Sequence, residues 1–302
     1  MSRTSLRPSR RRWTRRVCDT ENQQSPNEAD ESLAQEMVRV ERDCEKLSEC
    51  AQWTHRVSRY LFQSDSNEKR AECFWALFHL TARGDGVRAW LGFVHGVYDK
   101  RITESELRSL YEGAFGDDRE LIRLLLMADD TGYVRARRSE FAYDPVLDSV
   151  TLGERKSMAR KMDLDLLERL AKDADPSVIR IMLANPRLTE PLVLRMVALR
   201  PHREGVLCEF GRQAKWLNKA QVRRALVLNP YTPVRLGMMV SPLLGDVFLR
   251  EASQARNLHP GLRRLVRGLL SIRPHPKVFK SADDVSLAHD LNSEIEQLLQ
   301  ES

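Results

Sequence analysis

A short pattern that occurs twice constrains the fold of this chain more than any other feature. The stretch RIMLANPRLTEPLVLRMV begins at Arg180, and the related stretch RALVLNPYTPVRLGMMV begins 44 positions later at Arg224. Each is an apolar run that ends in Asn-Pro and is followed, after a few residues, by Thr and a second apolar run. Proline disfavours a helical conformation in the residue before it and has no backbone N–H to donate, so each Asn-Pro predicts the end of a helix.

We call each Asn-Pro pair a corner, and the residues after it predict the start of the next helix. Thr189 and Thr232 are the expected N-caps, with Pro233 in the first turn of its helix. An Asp-Pro at 175–176 and a His-Pro at 259–260 punctuate two other segments in the same way. Two successive apolar segments form a unit of about 28 residues, which is typical of stacked helical hairpins. The segments begin near Leu166, Val178, Leu192, Val206, Val222, Leu236, Val247 and Leu262.

These repeated segments resemble a known class of helical-repeat proteins. Residues 151–272 are similar to the HEAT-like and leucine-rich-repeat-variant α-solenoids. The stretches that carry this resemblance are ERLAKDADPSVIRIML, ANPRLTEPLVLRMV and VLNPYTPVRLGMMV. HEAT units are longer than these, and the spacing here is irregular between Arg200 and Gln221. The resemblance implies a curved stack of helices that offers an extended surface to a partner, and it implies no particular reaction.

The N-terminal half begins with a predicted amphipathic helix over 32–62. Its apolar residues recur at steps of three and four, while Thr54 and Ser58 occupy positions where a coiled coil needs Leu. The pattern therefore leaves two interpretations open: a helix that packs against its own chain, or one that forms a homodimer or binds another partner. The apolar positions are Leu33, Met37, Val40, Cys44, Leu47, Ala51 and Leu61.

An aromatic stretch at 71–100 predicts a helical hairpin that turns at a Gly-Asp-Gly sequence. His79 and His95 lie inside its apolar runs, a position typical of hydrogen-bonded core histidines. The sequences TESE at 103–106 and TLGE at 151–154 are capping boxes, in which Thr accepts a backbone N–H and Glu reaches back to the backbone N–H of Thr. Each predicts the start of a further helix.

Together these signals predict an all-α protein with a C-terminal HEAT-like solenoid, a helical N-terminal module and a disordered basic arm. Segments with little apolar content or no periodicity mark the arm and a linker. The predicted segments are the Arg-rich arm 1–30, the N-terminal module 31–128, the linker 129–150, the solenoid 151–272, and the acidic tail with an amphipathic helix 273–302.

Charge is distributed unevenly along the chain. Residues 176–280 contain 19 Lys and Arg but only five acidic residues, whereas residues 281–302 carry six acidic residues and no basic one. Exposed helices ordinarily mix both signs, so this excess predicts a basic surface that attracts phosphates or an acidic protein. The predicted partner-binding residues are Arg195, Arg212, Lys215, Trp216, Lys219, Arg223, Arg224, Arg235, Arg263, Arg264 and Arg267.

The charge pattern favours a non-enzymatic interaction or scaffold protein that binds an acidic protein or a nucleic acid through residues 176–280. One alternative is a HEAT-like protein that binds DNA or acts on it like a glycosylase, which needs an Asp and a Trp in the basic groove. Another is a structural oligomer built through residues 32–62. An Asp and a Trp that converge in the basic groove would separate the second from the first, and the mass in solution identifies the third.

The tail is a candidate partner for the basic segment within the same chain. Leu287, Leu291, Ile295 and Leu298 share one face of a predicted helix, with acidic residues around it. Residues 285–300 are therefore expected to cover the basic surface, either as a permanent end cap of the solenoid or as a cover that a partner displaces.

No signature of catalysis, cofactor binding or metal binding stands out in the sequence. Phosphate-loop, GxSxG, HExxH and paired CxxC motifs are absent. The five Cys are irregularly spaced, and Cys44, Cys50 and His55 are not arranged to share a helix face. No apolar run reaches the roughly 18 to 20 residues of a membrane helix. We therefore expect no catalytic, cofactor or metal site, and a cytoplasmic protein that does not enter a membrane.

Overall fold

The computed structural model describes residues 26–115, 119–128, 132–135, 147 and 149–273, with side chains from residue 32 onward. Every regular element in these residues is helical, in sixteen α-helices and one short 3-10 helix. The predicted all-α class is confirmed for this part of the chain. The predicted disordered arm lies outside it up to residue 25, and for residues 26–30 the prediction is wrong, because a helix begins at Pro26. The predicted tail helix lies outside the described residues entirely.

The described helices form two groups along the chain. The first group consists of α1 (Pro26–Glu45), α2 (Cys50–Leu61), α3 (Asn67–Ala82), α4 (Val87–Tyr98), α5 (Glu104–Gly113) and α6 (Glu120–Met127). The second group consists of α7 (Leu152–Arg160), α8 (Leu164–Leu170), α9 (Pro176–Leu183), α10 (Glu190–Ala198), α11 (Glu204–Gly211), α12 (Ala214–Leu217), α13 (Ala220–Leu228), α14 (Val234–Val240), the 3-10 helix (Ser241–Leu243), α15 (Asp246–Gln254) and α16 (Pro260–Ile272).

The predicted single helix over 32–62 is two helices, because the chain turns between α1 and α2. The carbonyl of Leu47, released at the break, accepts the indole N–H of Trp53 at 3.0 Å. Glu41 is buried near the end of α1, and its carboxylate oxygens accept two first-turn N–H groups of α4 at 3.0 and 2.7 Å. Glu41 thereby caps α4, whose own N-cap Gly86 supplies no side-chain hydrogen bond.

The apolar residues of α1 and α2 are buried inside their own chain. Met37, Cys44, Val57 and Leu61 have no exposed surface, and α2 packs along α4. Of the two interpretations of this segment, the structure therefore shows the one in which it packs against its own chain. These apolar side chains are not available to a second copy.

A close contact between α2 and α4 explains why polar Thr54 occupies an apolar position. Its hydroxyl donates to the carbonyl of Gly92 at 2.8 Å and lies 3.1 Å from Nδ1 of His95. A Cβ at Gly92 would stand 2.8 Å from the carbonyl carbon of Trp53, so the approach requires glycine. His95 is hydrogen bonded as predicted, whereas the buried Nε2 of His79 has no partner among the described residues.

Both predicted capping boxes are confirmed, and so is the predicted hairpin. Thr103 accepts the N–H of Glu106, whose carboxylate accepts the N–H of Thr103 at 2.7 Å. Thr151 and Glu154 make the same pair of hydrogen bonds at the start of α7. The hairpin forms as α3 and α4, and Gly84 between them has a φ of 97°, a conformation that favours glycine.

The two Asn-Pro corners share one hydrogen-bonding arrangement. Nδ2 of Asn185 donates to two carbonyls at the C-terminal end of α7, at 2.9 and 2.8 Å. Nδ2 of Asn229 donates to two carbonyls at the C-terminal end of α10, at 2.6 and 3.2 Å. Oδ1 of each Asn accepts the backbone N–H two residues further on. Each Asn therefore ends its own helix and also closes a helix of the preceding unit.

The residues that follow the corners agree only partly with the prediction. Thr189 holds the N-cap position of α10 but makes no side-chain cap hydrogen bond. The prediction for Thr232 is wrong, because its hydroxyl donates to a carbonyl of α13 at 2.7 Å and Pro233 holds the N-cap position of α14. Asp175 and His259 accept first-turn N–H groups as N-caps, each with Pro at the first helical position, as predicted.

Helices of the second group pack on their neighbours in a manner compatible with a helical repeat. α7 packs against α9, α9 against α11, α10 against α13, and α15 against α16. The irregular stretch 200–221 holds both α11 and the four-residue α12, which accounts for its spacing. The finer assignment as a HEAT-like solenoid stays a prediction.

The two groups of helices share one hydrophobic core. α4 packs against α11 and α12, and α6 packs against α14 and α16. The indole N–H of Trp90 donates to the carbonyl of Met239 at 2.6 Å, and Nε of Arg273 donates to the carbonyl of Ala82 at 2.5 Å. Within the predicted linker, residues 132–135 hydrogen bond to the second Asn-Pro corner. The boundary between module and solenoid stays a prediction.

Replacing Asn229 by Asp should destabilise the protein by about 2 kcal/mol or more. Aspartate cannot donate to the carbonyls at the end of α10, and the site is only 2% exposed, so a charge would be buried there. The midpoint of urea unfolding, followed by circular dichroism, measures the loss. Asn257→Asp is the matched control, because Asn257 is exposed, and its effect should stay within about 0.5 kcal/mol. Equal shifts for the two variants would contradict the role of the corner.

Gly92→Ala should destabilise the protein by about 1 to 3 kcal/mol, because the added methyl group meets the backbone of α2. Gly153→Ala in α7 is the control, since the nearest atom to its new Cβ is 4.0 Å away. The control should be neutral or stabilise the protein by up to about 1 kcal/mol. Urea unfolding of both variants tests the difference, and an unchanged stability of Gly92→Ala would rule out the close helix contact.

Candidate functional site

The eleven residues predicted to bind a partner differ in what their side chains contact, and Trp216 lies inside the protein. It is only 2% exposed, and its indole N–H donates to the carbonyl of Leu183 at 2.8 Å. The ammonium of Lys215 lies 4.4 Å from the centre of the indole ring. Arg223 is half-buried, donates to the carbonyl of Leu217 at 3.0 Å, and has its pKa lowered by burial. Trp216 is therefore a core residue rather than a surface contact.

Three more predicted residues pair with carboxylates of the same helical stack. Arg195 pairs with Glu168 of α8 at 2.9 Å, and Lys219 pairs with a carboxylate of α10 at 3.1 Å. The guanidinium of Arg224 donates two hydrogen bonds to Glu251, at 2.8 and 2.7 Å, and its side chain is only 13% exposed. These cations are already neutralised within the protein.

Acidic residues of the N-terminal module neutralise two others. Nη1 of Arg235 lies 2.6 Å from a carboxylate oxygen of Glu104 in α5. Arg264 of α16 pairs with Glu120 of α6. The excess of basic over acidic residues in 176–280 is therefore reduced by carboxylates that lie far away along the chain.

A buried carboxylate holds three elements together. Glu209 is 3% exposed and accepts two hydrogen bonds from Arg180, at 2.7 and 2.9 Å, and one from Arg212, at 2.6 Å. Nε of Arg212 donates to the carbonyl of Tyr98 at 2.7 Å. The hydrogen bonds that Arg180 donates to Glu209 raise the pKa of the Arg180 guanidinium. The cluster connects α9, α11 and the end of α4, so Arg212 has a structural role.

Ion pairs between units repeat at almost the same separation in sequence. The pairs Glu168 with Arg195 and Arg224 with Glu251 each span 27 positions, and Arg180 with Glu209 spans 29. Lys219 with Glu190 also spans 29, and Asp246 with Arg273 spans 27. These separations match the unit of about 28 residues predicted from the apolar segments. Four of these pairs join successive units, whereas Asp246 with Arg273 joins the two ends of the hairpin of α15 and α16, and we call the series the ion-pair ladder.

The last described hairpin, α15 and α16, lies at the end of this ladder. Its two acidic residues are occupied, since Asp246 pairs with Arg273 at 2.6 Å and Glu251 with Arg224 at 2.7 Å. Four of its arginines have no carboxylate within ion-pairing distance in the part of the chain that the structure describes. We call these four the arginine stripe, and they are Arg250, Arg256, Arg263 and Arg267.

A contact across the hairpin places the stripe along one edge. Nη2 of Arg267 lies 3.5 Å from the carbonyl oxygen of Ser253 on α15. Arg263 lies one turn before Arg267, and Arg250 lies one turn before Ser253, whereas Arg256 lies beyond the end of α15 in the turn that leads to α16. Arg263 is half-buried, and the other three arginines are exposed. Arg250, Arg263 and Arg267 therefore lie along this edge, and Arg256 lies in the turn at one end of the hairpin.

The predicted set contains only half of the stripe, because Arg250 and Arg256 are missing from it. In the sequence these two residues flank Glu251, which suggests a local neutralising partner. In the structure Glu251 reaches Arg224 instead, 27 positions earlier. Residues 246–272 contain five arginines and only two acidic residues. This excess of positive charge is the sequence feature that indicates Arg250 and Arg256.

The alternative of an enzyme that acts on DNA needs an Asp and a Trp that converge in an open groove. Trp216 lies in the core. The side chain of Asp173 is fully buried 3.4 Å from Arg155, and burial raises its pKa. The geometry of these residues does not favour the alternative.

The residues considered as metal ligands do not come together. Among the described residues, no group of three or more His, Cys, Asp and Glu side chains is placed to hold a metal ion. Burial raises the pKa of Cys44 and of Cys50 to about 12, so both thiols stay protonated at neutral pH. In the same part of the chain, no helix combines the length and the apolar character needed to cross a bilayer.

Glu209→Ala should lower the free energy of unfolding by about 3 kcal/mol, because it removes a buried carboxylate and leaves the largely buried guanidinium of Arg212, and the exposed one of Arg180, without their counter-charge. Glu168→Ala removes a carboxylate from an exposed pair and should cost less than about 1 kcal/mol. Urea unfolding at neutral pH compares the two. A Glu209→Ala variant as stable as Glu168→Ala would show that the buried cluster does not stabilise the fold.

Comparisons of this chain with protein-family models, with curated proteins and with solved structures found no match.

Proposed function

We propose that this chain is a non-enzymatic interaction or scaffold protein, a HEAT-like solenoid on an N-terminal helical module, that binds an acidic macromolecule through the arginine stripe. The observation that carries the proposal is the distribution of ion pairs. Six of the predicted basic residues pair with a carboxylate inside the protein. The arginines of the stripe have no such partner in the described residues.

The stripe has the physical properties of an anion-binding surface. Its four positive charges repel one another, and the acids of its own hairpin are occupied elsewhere. A partner with negative charges offsets this repulsion, and a nucleic acid also releases its bound counterions. Guanidinium groups bind phosphates and carboxylates through paired N–H donors. The stripe therefore suits a nucleic-acid backbone or an acidic protein segment.

Two further features fit the same function. Residues 1–16 contain seven arginines and no acidic residue, so this arm is suited to a second, tethered contact with an acidic partner. Cys44, Cys50, Cys73 and Cys208 are free thiols, which is consistent with a reducing compartment such as the cytoplasm.

A labelled DNA duplex titrated with the full chain should bind with an affinity that falls steeply as salt rises. Each phosphate contact contributes about −0.9 to the slope of log affinity against log salt. Arg263→Gln combined with Arg267→Gln should therefore make the slope less steep by about 2. Fluorescence anisotropy at several salt concentrations measures both affinity and slope.

Arg195→Gln combined with Lys219→Gln is the matched control, because it removes the same charge from two residues that are already paired. This variant should leave the slope nearly unchanged. Equal losses in the two double variants would falsify the assignment to the stripe. No binding even at about 50 mM salt would exclude a nucleic-acid partner and leave an acidic protein.

A further inference from the structure

We infer that residues 281–302 of this chain dock on the arginine stripe as an acidic amphipathic helix and continue the ion-pair ladder by one unit. The inference deepens the proposed function and rests on it in one respect, since both assign anion binding to the stripe. An external acidic partner must then displace the chain's own segment before it binds.

The ladder predicts where the missing carboxylates lie in the sequence. Arg180 and Arg224 find their carboxylates 29 and 27 positions later. The same step reaches an acidic residue from three of the four arginines of the stripe, whereas from Arg250 it reaches Lys277. Arg256 leads to Asp283 and Asp284, Arg263 leads to Asp290, and Arg267 leads to Glu294 and Glu296. Five of the six acidic residues in 281–302 therefore stand one unit after an unpaired arginine.

Charge complementarity favours the same occupant. Residues 281–302 contain six acidic residues and no Lys or Arg. Opposite charges across an interface favour correct association and disfavour partners of the wrong sign. The remaining acid, Glu301, stands 28 positions after Arg273, which already pairs with Asp246. Docking of the tail therefore requires no ion pair from Glu301.

The chain is long enough to place this segment on the stripe. Arg273, at the end of α16, is held by Asp246 and by the carbonyl of Ala82. Seven residues separate it from Ser281, and they span up to roughly 25 Å when extended. α16 has 13 residues and is therefore about 20 Å long. Every arginine of the stripe lies within reach.

Apolar side chains that can contact the tail also lie beside the arginine stripe. Val247 is 51% exposed and lies one turn before Arg250 on α15, and half-buried Leu270 lies one turn after Arg267 on α16. Because helices joined by a short loop run antiparallel, both residues lie at the end of the hairpin where α16 leads to the tail. The apolar face predicted for the tail consists of Leu287, Leu291, Ile295 and Leu298.

Tethering makes this docking effective although each ion pair is weak. A segment joined through a short flexible linker has an effective concentration on the order of 1 mM. Contacts of millimolar strength are then enough to cover much of the stripe. The affinity for an external partner falls in proportion to the fraction of stripe that is left open.

Hydrogen–deuterium exchange of the full chain, read by mass spectrometry, tests the docking without any external partner. Backbone amides of 287–299 should exchange roughly tenfold more slowly in the wild-type chain than in the Asp290→Asn, Glu294→Gln double variant. Glu301→Gln is the matched control and should keep the wild-type rate. Arg267→Glu should remove the protection, and adding Glu294→Arg to it should restore the protection by exchanging the charges of one pair.

The same variants separate this inference from the proposed function. Asp290→Asn with Glu294→Gln should bind the labelled duplex more tightly than wild type at the same salt, because the stripe is uncovered. Protected tail amides in a chain that never binds the duplex would support docking and exclude duplex binding. Tail amides that exchange equally fast in wild type and double variant would overturn docking, whatever the duplex result.

Discussion

Hydrogen bonds from two buried asparagines to helix-end carbonyls determine how the units of this protein meet. Short helices leave many carbonyls without a partner, and each costs free energy when it is buried. Asn185 and Asn229 satisfy two such carbonyls each in the preceding unit. This requirement holds one helix of each unit at a fixed place against its predecessor. The side chains on the helices, charged ones included, then fall opposite their counterparts one unit away.

The ion-pair ladder follows from that arrangement. When successive units are held in register, a charge at one position meets the side chain about one unit further along the chain. Arg224 and Glu251 meet in this way on α13 and α15. The N-terminal module adds a second source of carboxylates, because α5 and α6 lie against the stack and supply Glu104 and Glu120. Charge is therefore matched between elements and not along the local sequence.

This difference separates what could be predicted from the sequence from what could not. Capping boxes, the turn at Gly84 and the helix ends at the Asn-Pro corners act within a few residues, so their patterns are visible locally. The hydrogen bonds from Asn185 and Asn229 to the preceding unit are not visible in this way. The capping of α4 by Glu41 is a contact across 47 positions, and it cannot be seen in the local sequence. The burial of Trp216 and the pairing of Arg224 likewise depend on partners about one unit away. The numbers of basic and acidic residues in the sequence identify the basic segment. They do not show which of its arginines lack a carboxylate partner.

The end of a repeat stack is a chemically distinct place for the same reason. Arg195 finds its carboxylate in the unit before it and Arg224 in the unit after it, whereas the arginines of the stripe have no carboxylate partner among the described residues. Under the proposed function, a partner of the arginine stripe competes with whatever continues the ladder, and we expect it to bind best when its acids match the spacing of Arg263 and Arg267 along the hairpin. A carboxylate that does not lie opposite a guanidinium loses its hydration without gaining an ion pair. The spacing of the arginines therefore favours some acidic partners over others.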